Sequence, residues 1–153
     1  MLMTSLSLAL ALLATQAAPT ANTDGPIDIS AARSEADEPS RRVIYTGDVN
    51  ILRGETRLRA DEVEVQFDEG FRSPTKIFAR GAVYYVTPTG IAHAENGIYD
   101  LKSETIEMTG SVVLTQGCNV STGNRMIADV DRGMARLSGG GEGENQRHHR
   151  QCL

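Results

Sequence analysis

Tyr45-Thr46-Gly47-Asp48-Val49-Asn50-Ile51 decides how the chain reads, because its pattern, apolar-x-Gly-x-Val-x-apolar, returns. It comes back as Ala79-Arg80-Gly81-Ala82-Val83-Tyr84-Tyr85 and Met108-Thr109-Gly110-Ser111-Val112-Val113-Leu114, with a degenerate copy at Leu137-Ser138-Gly139. The glycines step by 34, 29 and 29 residues. A second anchor, Ala31-Ala32-Arg33, Ala60-Asp61-Glu62, Ala94-Glu95-Asn96 and Gly123-Asn124-Arg125, steps by 29, 34 and 29. Gly47 to Ala60, Gly81 to Ala94 and Gly110 to Gly123 are each 13 residues apart, so the two anchors are locked in phase. The five extra residues fall in Asp68-Glu69-Gly70-Phe71-Arg72-Ser73-Pro74, which reads as an enlarged turn. A fixed period of this length is the mark of one supersecondary unit stacked on itself.

Within each unit the apolar residues alternate. Val43, Tyr45, Val49 and Ile51 share one parity while Arg42, Thr46, Asp48 and Asn50 share the other, and period two is the pattern of a half-buried strand. The central glycine predicts a bend or bulge that carries the strand round a corner with the same face inside. After Ala60 the parity changes, from Leu58 and Ala60 to Val63, Val65 and Phe67. Tyr99 and Leu101 after Ala94, and Met126, Ala128 and Val130 after Gly123, repeat the change. It predicts one extra residue at Asp61-Glu62, as a bulge or a crossing between sheets. Ile77, Val83 and Tyr85, then Ile106, Met108, Val112 and Leu114, continue the inside stripe, while Arg72, Lys76, Arg80, Lys102, Glu104 and Glu107 fall outside it. No stretch has helical period, and short strands separated by Gly, Asn, Asp and Pro predict an all-β fold with two packed faces.

The stripe lies behind a different N-terminus. Met1 to Ala17 has no charged side chain and an apolar run too short to span a bilayer, which predicts a secretory signal peptide over 1–17, cleaved after Thr15-Gln16-Ala17. Residues 18–26 read as a flexible leader, 27–138 as the β domain, whose first strand-like piece is Ile27 to Ala36, and 139–153 as a disordered polar tail. With no cysteine at the predicted cut, lipid anchoring of the new N-terminus is not expected. The 153 residues carry a net charge of -5 and no basic run, which argues against nucleic acid as a partner.

Catalytic and metal-binding groups are sparse, and no catalytic residue, metal site or cofactor is expected. Of three histidines, His93 stands alone on a strand and His148 and His149 lie in the tail, where with Cys152 they make a weak metal pattern. Cys118 follows Gly117 in a turn, and a Cys118–Cys152 bridge, free thiols or an intermolecular bridge are equally open. Asp61, Glu62, Glu64, Asp68 and Glu69 are more simply explained by cross-strand pairing with Arg57 and Arg59, taken to lie on the preceding strand, than by calcium binding. Asn119-Val120-Ser121 matches a glycosylation acceptor too short to be specific.

What remains is the stripe. Without Trp and with three Phe, its inner face is mostly small and medium aliphatics interrupted by glycine. Two sheets so lined can leave an apolar groove wide enough for acyl chains.

These residues resemble the periplasmic lipopolysaccharide-transport proteins of the OstA/LptA type. The resemblance is carried by Pro26-Ile27-Asp28-Ile29-Ser30-Ala31, Tyr45-Thr46-Gly47-Asp48-Val49, Leu58-Arg59-Ala60-Asp61, Ala94-Glu95-Asn96-Gly97-Ile98-Tyr99-Asp100, Met108-Thr109-Gly110-Ser111-Val112 and Leu114-Thr115-Gln116-Gly117, and spans about Pro26 to Gly139. It implies a twisted, open β-jellyroll in the periplasm that holds the acyl chains of lipopolysaccharide and performs no catalysis. It implies partners too: the jellyroll of an inner-membrane transporter component, the periplasmic domain of the outer-membrane translocon, and other copies added head to tail. The groove residues it implies as a group are Val43, Tyr45, Val49, Ile51, Leu58, Val63, Val65, Phe67, Ile77, Val83, Tyr85, Tyr99, Leu101, Ile106, Met108, Val112, Leu114, Met126 and Val130. The alternatives are a non-lipid structural or adaptor protein of the envelope and a β-helical polysaccharide lyase. The lyase would need clustered Asp, Arg, Lys or His at matching repeat positions, which this chain lacks. The sequence departs from the family in its glycine-rich end after Leu137 and in Cys118, where glycine would stand.

Overall fold

The computed structural model describes residues 25–139, and every regular element in them is a strand. They are β1 (Asp28–Ser30), β2 (Arg33–Asp37), β3 (Arg42–Arg53), β4 (Thr56–Phe67), β5 (Pro74–Thr87), β6 (Gly90–Asp100), β7 (Thr105–Gln116), β8 (Asn119–Asp129) and β9 (Met134–Ser138). From β3 to β9 each strand pairs antiparallel with the next, and β1 and β2 share the outer side of β3. The piece expected as one strand over Ile27 to Ala36 is thus two, broken at Ala31-Ala32. β9 does not return to β1 or β2, so the sheet stays open. The predicted signal peptide, most of the leader, and the tail with Cys152 and both tail histidines lie outside the described residues.

Each long strand serves two faces because it bends at its middle. On β3, Gly47 (φ +84°) and Asp48 (φ +44°) both take left-handed backbone opposite the single residue Asp61, and β5 repeats this at Gly81 and Ala82 and β7 at Gly110 and Ser111. The corner takes four residue steps on an odd strand, Tyr45 to Val49, and three on an even one, Val63 to Ala60. The parity change expected after Ala60 is therefore real, but the extra residue is on the glycine strand and not at Asp61-Glu62. A second residue in the left-handed region is disfavoured by about 1–2 kcal/mol when it bears a Cβ. It persists here because the register on both sides of the corner fixes it.

Above the bulge, β2, the first halves of β3, β5 and β7, the second halves of β4, β6 and β8, and β9 make one face. Below it, β1 and the remaining halves make the other. The core sits between them: Val49, Val63, Val65, Ile77, Val83, Ile106, Met108, Val112 and Met126 are almost wholly buried, and among the described residues no polar or charged one is fully buried with them. Each such side chain contributes about 1.5–3 kcal/mol by leaving water. The spine of corners closes one side, and the hairpin turns form two rims along the other.

The long turn expected over Asp68 to Pro74 is present. The Asp68 carboxylate accepts the Arg72 amide at 2.9 Å, and Phe71 stacks on Phe67 with ring centres 4.7 Å apart. Contact with the Arg72 amide holds the Asp68 carboxyl below the usual carboxylate range.

Candidate lipid-binding groove

All nineteen stripe residues turn to the inside or are half-buried beside it, but they divide into two sets. Most only fill the core. Tyr85, Leu114 and Val130, together with the core residue Met126, line a cleft of about 440 Å³ where the faces part between the β5–β6 and β8–β9 turns. Ala92 and Ala128 line the same cleft, with Thr87 to Gly90 and Asp129 to Ala135 at its rims. Tyr45, Phe67, Tyr99 and Leu101 pack half-buried against the core, and Val43 is half-buried outside that cluster. Sequence reasoning passed over Ala79, Ala92 and Ala94, all buried, because alanine carries little hydrophobic signal. Their parity with Val83 and Leu114 was the available clue.

Small side chains in the lining and a wide rim are what leave the space. Tyr85 lines it, with the pKa of its hydroxyl pushed up to about 12, first by burial and then by the charge of Glu104. Glu104, placed outside the stripe on parity, in fact turns inward at the rim. Its carboxylate accepts the Tyr99 hydroxyl at 2.5 Å and lies 3.0 Å from Arg53 Nη1. Burial, then the bond to Glu104, raises the Tyr99 hydroxyl further still.

The outer faces are polar in a different way than expected. Glu62 and Glu64 do not pair with Arg57 and Arg59, because all four lie on β4, where successive side chains on one face cannot meet across a ladder. Glu62 pairs with Arg80 of β5 at 2.9 Å, Glu64 with Arg42 of β3 at 3.9 Å, and Glu107 with Arg125 at 2.7 Å. Arg57 and Arg59 lie in a shallow hollow on the other outer face with Tyr84, Val86 and Ile91. His93 points outward as expected and packs on Tyr84 at 4.4 Å. Among the described residues no group of three His, Cys, Asp or Glu could hold a metal.

These residues define the fold class: an open, two-faced β-jellyroll with an apolar interior and a cleft between its rims. The family described as LptA/(LptD N-terminal domain) LPS transport protein matches residues 28–134, and the chain belongs to it. An uncharacterised protein of Rhizobium meliloti (strain 1021) is 32% identical over 122 residues, covering 74% of this chain and 66% of that protein. The LPS-assembly protein LptD of Actinobacillus pleuropneumoniae serotype 5b (strain L20) is 35% identical over 83 residues, covering 54% of this chain and 10% of LptD. The chain thus spans just under two thirds of the first of these relatives and a small part of the second. In fold it is similar to LptH of Pseudomonas aeruginosa, described as the LptA-homologous periplasmic component of the lipopolysaccharide transport device. That match has a TM-score of 0.67 and 18% identity, covering 82% of this chain and 90% of that one.

Proposed function

We propose that this chain is a periplasmic segment of a bridge that carries lipopolysaccharide from the inner to the outer membrane. Acyl chains lie between the two faces, against Tyr85, Leu114, Met126 and Val130, and the headgroup stays outside the open side. The observation that carries this reading is the cleft itself: an apolar interior in which, among the described residues, no fully buried residue is polar or charged, and which opens between the β5–β6 and β8–β9 turns. A filled sandwich would have no such opening. Membership of a transport family supports a binding role without catalysis.

Continuity of the bridge comes from free strand edges. β1 and β2 offer one, and β9 together with the Asn119–Gly123 half of β8, which β9 does not cover, offers the other. Such edges add strands by main-chain pairing. The partners are further copies head to tail, a jellyroll of an inner-membrane transporter component, and the periplasmic domain of an outer-membrane translocon.

The test is photocrosslinking to lipopolysaccharide from a probe at Tyr85, Leu114 or Val130, with the outward Tyr84, Ile91 and Val113 as controls. Crosslinks at the first set alone are expected. None at either set, in folded protein, would move the chain to a structural or adaptor role.

A further inference from the structure

The two rims are joined at one place. Arg53 ends β3 on one rim, and on the other lie Tyr99, near the end of β6, and Glu104, the last residue of the β6–β7 turn. Arg53 Nη1 donates to both Glu104 carboxylate oxygens, at 3.1 and 3.0 Å, and to the Tyr99 hydroxyl at 2.6 Å. Among the described residues no other side-chain hydrogen bond or ion pair crosses between the rims. The Arg53 and Glu104 side chains are only 17% and 19% exposed, so this pair is less screened than those on the outer face.

Two details set the bridge apart from ordinary rim packing. The β6–β7 turn, Leu101-Lys102-Ser103-Glu104, and the β8–β9 turn, Val130-Asp131-Arg132-Gly133, occupy the same place in the repeat, and the last residue of each is left-handed, at φ +50° and +62°. Glycine takes that backbone freely, whereas Glu104 holds it against its own preference, and its carboxylate is what the position gains. The second detail is Arg53 Nε, which is buried and has no hydrogen-bond partner. Closed, the bridge leaves a charged donor unused.

We propose that Arg53 is the headgroup-binding residue of the groove: it takes a phosphate of the amphiphile passing along the open side, and Glu104 is the placeholder that keeps the rims joined at this one point until then. This rests on the reading that acyl chains lie between the faces. A headgroup outside the open side can pass the β3–β4 and β6–β7 turns only by parting Arg53 from Glu104, because their bridge spans the opening. A neutral headgroup parts them and leaves two charges unpaired. A phosphate offers the guanidinium a two-pronged partner that engages Nε as well as Nη, so opening and replacement occur together. The ligand then shifts the closed-to-open balance by its differential affinity for the open state.

The experiment titrates the full chain with dodecyl phosphate and with dodecyl maltoside, both below micelle formation, and repeats this on Arg53→Gln, Arg53→Lys and Glu104→Gln. Wild type is expected to prefer dodecyl phosphate. Arg53→Gln should lose about tenfold or more for dodecyl phosphate, as for a lost hydrogen bond to a charged group, and should not weaken for dodecyl maltoside, which then has no bridge to part. Arg53→Lys should fall between, and it carries the test if Arg53→Gln does not fold. Glu104→Gln should bind dodecyl phosphate several-fold more tightly, since it frees Arg53. Opposite shifts from the two halves of one bridge are the signature. Equal shifts for both probes, or the same direction in the Arg53 and Glu104 variants, would reduce the bridge to a structural clasp and overturn the proposal. Failure of wild type to bind either probe would instead overturn the groove reading, and this inference with it.

Discussion

The Asp61 side chain on β4 lies directly over Gly81 on β5, so a Cβ added at Gly81 would come 3.0 Å from Asp61 Cβ and closer still to its carboxylate. Ala32 covers Gly47, Glu95 covers Gly110 and Asn124 covers Gly139 in the same way. The two anchors of the sequence repeat are thus the two sides of one contact between neighbouring strands, and φ +71° at Gly139 extends it to the degenerate fourth copy. Gly81→Ala should destabilise the protein by about 1–3 kcal/mol, from left-handed backbone plus the collision. Gly117→Ala, at φ +56° with nothing within 4 Å of its Cβ, should cost only the backbone part. Thermal melts of the two variants check this, and equal losses would remove the packing contribution of Asp61.

Ala128 lines the cleft and is 7% exposed. Ala128→Phe should fill that space, at an overpacking cost of about 1–3 kcal/mol. Photocrosslinking from Tyr85 should then fall sharply while the circular dichroism of the sheet is retained. Met108→Ala, which empties the core away from the cleft, should cost about 2–5 kcal/mol and leave crosslinking per folded molecule unchanged.

Much of the fold was legible because period-two alternation and glycine spacing act locally, along one strand. The inside parity of Val49, Val83 and Val112 follows from it, as does the bulge. Partnership across strands was less legible. Arg57 and Arg59 were assigned to Glu62 and Glu64 because the chain does not say where a twelve-residue strand ends, and those four residues turned out to share β4. Nor could spacing separate Leu114, at the cleft, from Met108, in the core, since both have inward parity and only the splay of the faces tells them apart. Arg53 and Glu104 are 51 residues apart, and nothing local links a turn arginine to a turn glutamate. Their contact depends on how far the sheet twists before its rims meet.

Stability should fall at both ends of the pH scale. Asp37, Asp68, Asp100 and Glu107 have carboxyls held below their ordinary range, by the Ser40 side chain, the Arg72 amide, the Ser103 amide and the Arg125 side chain respectively. Because the folded values are depressed, their contribution is present above about pH 4, the ordinary carboxyl value, and is lost as pH falls through the folded values. Tyr85 has the opposite sign. Raised to about 12, it keeps its proton when folded, so its contribution is present below about pH 10 and is lost as pH rises from there toward 12. Urea midpoints at pH 3, 7, 10 and 11 should trace this dome. Tyr85→Phe should flatten only the alkaline side, and an unchanged alkaline slope would disprove the assignment.

Self-association should depend on the outer edge of β2. The Ala32 amide donates to Gly47 O at 3.0 Å, so alternation along the strand turns the Arg33 and Glu35 amides away from β3, to the free side. Proline at position 35 removes an outward donor and leaves the β2–β3 ladder intact, which is how proline is tolerated on an edge. Glu35→Pro should therefore leave the melting temperature within a few degrees and shift the sedimentation profile toward monomer at concentrations where wild type associates. Ser34→Pro, whose amide faces β3, should instead lower stability through the ladder. Undiminished assembly of Glu35→Pro would exclude β2 as the strand to which the next copy adds and leave β1, on the same outer side of β3, as the edge that receives it.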